Sequence, residues 1–246
     1  KQIIYYICEC DGFVDLGLFC DTFNINVNEV IILINCGLVR KELERFVPHE
    51  SLYEYYSYDK AAVLNSTLAE GYWQRQMHAT PKNTFVCNLV LAYIKKKGIR
   101  WLEDPKGIFE QLTSYCLSKY KWEDLEVLYP YLIDLKYTDL IMKVSQQLAH
   151  VARSYILQFN DVLQEVLCDE DRNIWNAIRC EIFYWIGDFD ECIKVSNDLL
   201  TVISLEDNLK DYVHLNLAIA YFFLGEWDLS NDNLNKVFKS SKRMEG

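Results

Sequence analysis

The chain has 246 residues, a formal net charge of −11, 51% hydrophobic and 14% aromatic residues, and only nine Gly and four Pro. That length and apolar content suit two soluble, largely helical domains with few long loops. The acidity disfavours nucleic acid and anionic membranes and favours a basic protein surface as partner.

Ile3 to Cys8 reads as a short apolar helix closed by the turn pair Asp11-Gly12. Asp15 is placed to cap a second helix through Leu16, Leu18, Phe19 and Phe23. Asn26 or Asn28 opens a third over Val30, Ile31, Leu33 and Ile34, which Cys36-Gly37 ends. Leu38 to Arg40 and Arg45 to Val47 flank a polar tip, Lys41 to Glu44, as in a two-stranded wing. Three helices and a wing over residues 1–73 predict a winged-helix domain. DNA binding by such a domain draws on cations that neutralise phosphates. Residues 1–60 hold five Lys or Arg against ten Asp or Glu, and Val27 to Cys36 holds no cation. DNA is therefore rejected, and the wing is expected to dock on protein.

The run Val39-Arg40, Phe46-Val47-Pro48-His49-Glu50-Ser51-Leu52-Tyr53-Glu54-Tyr55-Tyr56, continued by Leu64 to Trp73, resembles the winged-helix region of STAND NTPases. These are signal-transducing relatives of AAA+ ATPases, among them apoptosome, plant-resistance and antiviral sensor proteins. The resemblance implies that His49, with Glu50, reaches the β-phosphate of ADP held by a preceding nucleotide-binding domain. Pro48 stands where plant and animal members carry Met. A His capping the following helix is the alternative reading of the same residue. The resemblance further implies ADP or ATP as cofactor of the parent protein, none in this part, and a parent that oligomerises on activation. No P-loop is present: Gly12 and Gly17 have the spacing, but Leu18 follows where Lys is needed. On this reading Lys1 lies downstream of an ATPase domain rather than at a native start.

The nine cysteines lack zinc-site spacing, and an odd, unpatterned set suits buried free thiols in a reducing cytoplasm. No secretory segment or membrane span is visible, so the sequon at Asn65-Ser66-Thr67 reads as chance.

Residues 74–246 predict an α-α superhelix of helical pairs. Asn83 or Thr84 starts a helix that Lys95-Lys96-Lys97-Gly98 ends, Asp104-Pro105 starts the next, and Pro130 is expected to kink or divide the one after Trp122. Cys180-x2-Phe183-x3-Gly187-x-Phe189-x2-Cys192-x6-Leu199 has the spacing of Ala218-x2-Tyr221-x3-Gly225-x-Trp227-x2-Ser230-x6-Val237. Both resemble tetratricopeptide repeats, in which small residues let antiparallel helices approach. A weaker copy runs through Thr113, Cys116, Trp122, Leu125 and Leu132, with Tyr120 at the turn Gly, and Tyr137 to Cys168 is expected to hold a further pair. Stacked pairs present a concave surface that binds protein. Trp122, Trp185 and Trp227 fall at or beside repeat positions that pack internally, which leaves Trp73, Trp101 and Trp175 as candidate protein contacts. His49, His78, His150 and His214 show no metal spacing, and no nucleophile motif is present. The expected function is a regulatory and sensor region of a STAND NTPase, not itself an enzyme, with a protein trigger on the repeats. A stand-alone helical-repeat scaffold is the alternative.

Overall fold

A computed structural model of the chain describes residues 2–55, 67–80, 83–202 and 205–241. The described residues are mostly helical, with fifteen α-helices and one two-stranded sheet. They fall into two compact units, Lys1–Val127 and Leu128–Gly246. The boundary expected after Trp73 lies inside a helix of the first unit. The expectations on Tyr56, Leu64 and the sequon residues Asn65-Ser66 lie outside the described residues.

In the first unit, α1 (Gln2–Glu9), α2 (Leu16–Phe23) and α3 (Val27–Asn35) precede the strands β1 (Val39–Glu42) and β2 (Arg45–Pro48). The caps are local chemistry: Asp15 Oδ1 accepts from the Leu18 N–H at 2.7 Å, and Asn26 Oδ1 from the Asn28 N–H at 3.0 Å. The strands pair antiparallel from Val39↔Pro48 to Glu42↔Arg45, so the tip shrinks to Leu43-Glu44, with Leu43 at φ 51°. Gly12 has φ +102°, and a Cβ there would lie 2.0 Å from the Phe46 carbonyl oxygen, so no other residue fits where α1's exit crosses β2. Phe13 and Phe46 exchange two backbone hydrogen bonds at that crossing. Then follow α4 (Glu50–Tyr55), α5 (Thr67–Ala79), α6 (Thr84–Lys97) and α7 (Pro105–Ser118). Tyr72 and Trp73 of α5 are fully buried and complete the core around Phe13 and Phe19.

The division between the units falls within α8 (Trp122–Asp134), which runs on through Pro130 undivided. Leu125, Leu128, Tyr129, Leu132 and Ile133 are buried on both sides of the proline, and their packing holds the helix together across the missing N–H.

The second unit continues with α9 (Thr138–Val151), the short α10 (Arg153–Leu157) and α11 (Asn160–Val166), and then α12 (Asp169–Ile186), α13 (Phe189–Leu200), α14 (Asp207–Leu224) and α15 (Trp227–Ser241). The expected pair between Tyr137 and Cys168 is instead one long helix followed by two short ones. The last four helices form two hairpins of one design. Gly187 (φ 84°, ψ 10°) and Gly225 (φ 82°, ψ 8°) adopt the left-handed conformation at the turn. The Asp188 and Glu226 N–H groups reach back to the Phe183 and Tyr221 carbonyls, each at 2.9 Å. The α7–α8 link repeats this with Tyr120 at φ 54° and Lys121 N–H on the Cys116 carbonyl, and the α8–α9 link repeats it with Lys136 at φ 56°. Small residues lie where helices cross: Cys180, Cys192 and Ala220 share one buried cluster with Val195, and Ser230 Oγ donates to the Ala218 carbonyl at 2.8 Å.

Candidate functional site

Four of the six tryptophans fall opposite to expectation. Trp73 is buried with its Nε1 donating to the Cys10 carbonyl at 3.1 Å, and Trp175 is buried with Nε1 on Asn160 Oδ1 at 3.2 Å. Trp101 is half-buried and bonded to the Gly98 carbonyl at 2.9 Å. Trp73 and Trp175 are core residues because each sits on the inward face of its helix with its one donor satisfied. Trp185 and Trp227, expected inside, are 53% and 57% exposed, and Trp122 is half-buried. Helical phase explains the reversal: Trp185 lies five residues past Cys180, about 140° around the helix.

His49 is exposed and tied to its own helix start, its Nδ1 taking the Ser51 N–H at 3.3 Å and lying 2.9 Å from Ser51 Oγ. This is the capping geometry. The helix it opens has six residues.

In the second unit a concavity runs along α12 and α14. At their N-terminal ends a cleft of about 470 Å³ is walled by Asp169, Glu170 and Asn173 of α12, by Asn208 and Leu209 of α14, and by Leu205 and Glu206 just before it. A second cleft of about 320 Å³ continues from the shared residues Ile174 and Leu209 to Ile178, Glu181 and Tyr212, with Gln146, Gln147 and His150 of α9 along its edge. Its polar groups converge on Glu181. Tyr212 Oη donates to Glu181 Oε2, Trp185 Nε1 donates to Oε1 at 3.3 Å, and His150 Nδ1 lies 3.7 Å from Oε1. Burial first, and then the Glu181 carboxylate it bonds, push the Tyr212 phenol well above its ordinary range. Tyr212 therefore stays a neutral donor across physiological pH. Arg153 lies over the Trp185 ring at 5.1 Å.

These groups suit binding: an acceptor carboxylate fixed by donors, beside apolar Ile174, Ile178 and Leu209. No group of three or more His, Cys, Asp or Glu among the described residues could hold a metal ion. Across α12 a smaller cleft beside α11 and α13 has mixed charge, with Arg179 and Lys194 against Glu191 and Asp198. Desolvation there holds the Arg179 pKa below its ordinary value.

The groove residues were missed in sequence, although a signal exists. Ile174 and Tyr212 each stand six residues before the small residue of their repeat, Cys180 and Ala218, and Glu181 directly follows Cys180. Aligning the helix faces, rather than the packing positions alone, marks them. The described helices include none long and apolar enough to cross a membrane. No protein-family model matches the chain, and no curated protein matches it at a significant level.

Proposed function

We propose that this chain is the regulatory and sensor region of a STAND-type signal-transduction NTPase that acts by binding protein. Residues 1–73 would be a winged helix docking on the parent's nucleotide-binding domain, and the later helices tetratricopeptide-like repeats that take a protein trigger. The observation that carries the binding reading is the groove of α12 and α14, where fixed polar groups and apolar residues meet along two hairpins of one design. Docking of the first part on protein is supported by α3, which carries no cation and exposes Val27, Ile31 and Ile32, and by the bare Leu43 at the strand tip. Such a region works in the cytoplasm. In the parent, trigger binding would shift an ADP-bound resting state toward an active, oligomeric one, which requires different affinities for the two states.

The test is His49→Ala in the full parent protein. Weakened ADP retention or signalling without trigger is the expected result, and unchanged nucleotide content and signalling would remove the nucleotide-linked role. One observation favours the alternative, a stand-alone protein-binding scaffold: Nδ1 of His49 is already engaged by Ser51 of its own helix. In that case the His49 variant loses only a helix cap, about 1 kcal/mol of stability.

A further inference from the structure

We propose that the α12–α14 groove accepts a basic peptide segment with an apolar centre, presented by a partner protein. Its cations would meet Glu181 at one end and the Glu170–Glu206 rim at the other, and its apolar side chains would cover the partly exposed Ile174 and Leu209. This rests on the protein-binding reading above and specifies the partner's chemistry.

Charge complementarity selects the occupant. The two clefts are walled by four carboxylates, Asp169, Glu170, Glu181 and Glu206, and by no Lys or Arg. Asp169 pairs with Arg172 at 2.9 Å, but its side chain is 96% exposed, so that pair is worth little and yields readily to a partner cation. Residues 169–241 carry fourteen Asp and Glu against six Lys and Arg, so the surroundings add to the negative field. The same field repels phosphate and acidic chains. Between the acidic ends the wall is apolar, which gives an aliphatic side chain a place to leave water.

The groove also sets a length. Glu170 and Glu181 are eleven residues apart on one helix, roughly 16 Å at about 1.5 Å per residue. An extended strand rising about 3.3 Å per residue covers that distance in roughly five residues. The fitting motif is two basic ends about five residues apart with Leu-like residues between.

The probe is a fluorescein-labelled peptide with a Leu-Ser-Leu centre between Lys-Lys ends, compared with a twin bearing Glu-Glu ends, by fluorescence anisotropy on the full 246-residue chain. Two charge-matched double variants separate the groove from general acidity. Glu170→Gln with Glu206→Gln neutralises the rim, and Asp228→Asn with Asp232→Asn neutralises two exposed α15 carboxylates outside it. All four positions are at the surface, and circular dichroism verifies that both variants fold. The expected result is binding of the Lys peptide alone, weakened about five-fold by the rim variant and unchanged by the α15 variant. Equal weakening by both variants would overturn the proposal in favour of a diffuse acidic surface, and so would absent binding or preference for the Glu peptide. A panel of neutral and acidic peptides keeps the two readings apart. Capture of one of those, lost on Ile174→Asp, overturns the basic-partner inference while leaving protein binding in place, whereas no capture of any peptide removes both.

Discussion

Glu181 shows how much one side chain can organise. Its oxygens accept from Tyr212 and Trp185 and face His150, so groups from α9, α12 and α14 meet at a single carboxylate. Tyr212→Phe removes a donor to a charged acceptor and is expected to lower the unfolding free energy by about 1–2 kcal/mol, measured by urea denaturation. An unchanged midpoint would mean that water replaces the phenol without cost. Backbone conformation gives a second test at this scale. Lys136 is exposed and adopts φ 56°, which costs an L residue energy that Gly avoids. Lys136→Gly is expected to raise stability by about 0.5–1 kcal/mol, and Gly225→Ala to lower it by about 1 kcal/mol. Loss of stability in Lys136→Gly would show that its side chain does more than occupy the turn. Tyr120 is a poorer test because its ring packs edge-on against Trp122 at 5.7 Å.

At the scale of elements, the helical hairpins depend on small buried residues, several of them cysteines. Burial is the first cause that pushes the Cys180 thiol up to about 11 and the Cys192 thiol up to about 12, against an ordinary 9.0. The unfolded chain releases these protons from about pH 9, while the folded chain keeps them. The unfolded state then binds fewer protons, so stability declines as pH rises from about 9 toward 12. The urea midpoint is expected to be lower at pH 10.5 than at pH 8, with a shallower decline in a Cys180→Ala, Cys192→Ala variant. A midpoint independent of pH would show that the pair is not sealed. Helix ends were legible in sequence at this scale, because caps act between near neighbours. Asp15, Asn26, Asn83 and Asp104 each cap the helix that follows, and Gly98, Gly187 and Gly225 end theirs. The stretch between Tyr137 and Cys168 was not legible, since α10 and α11 are held by packing, with Ile156 and Leu163 buried, and lack a side-chain cap. Of the two outcomes expected at Pro130, a kink or a division, the division does not occur, and α8 continues through it with buried residues on either side.

For the molecule as a whole, the six tryptophans report which surfaces are free. Trp185→Phe and Trp227→Phe are expected to reduce the acrylamide-quenchable fluorescence of the native protein, and Trp73→Phe and Trp175→Phe to leave it nearly unchanged. Quenching that disappears in Trp73→Phe instead would contradict its place in the core. The nine thiols give a parallel picture, with Cys36 and Cys168 exposed and seven buried. Local chemistry, written within a few residues, determined the helix starts, the left-handed turns, the Gly187 and Gly225 repeat and the lack of cations on α3. Those features follow from backbone sterics and hydrogen bonds that close inside one turn. Only the tertiary structure decided which tryptophans are buried and that Glu181 meets Tyr212, 31 residues away, at the head of an acidic groove. Burial and convergence depend on which helix faces are pressed together, and that is settled by packing across the whole unit rather than by neighbours in sequence.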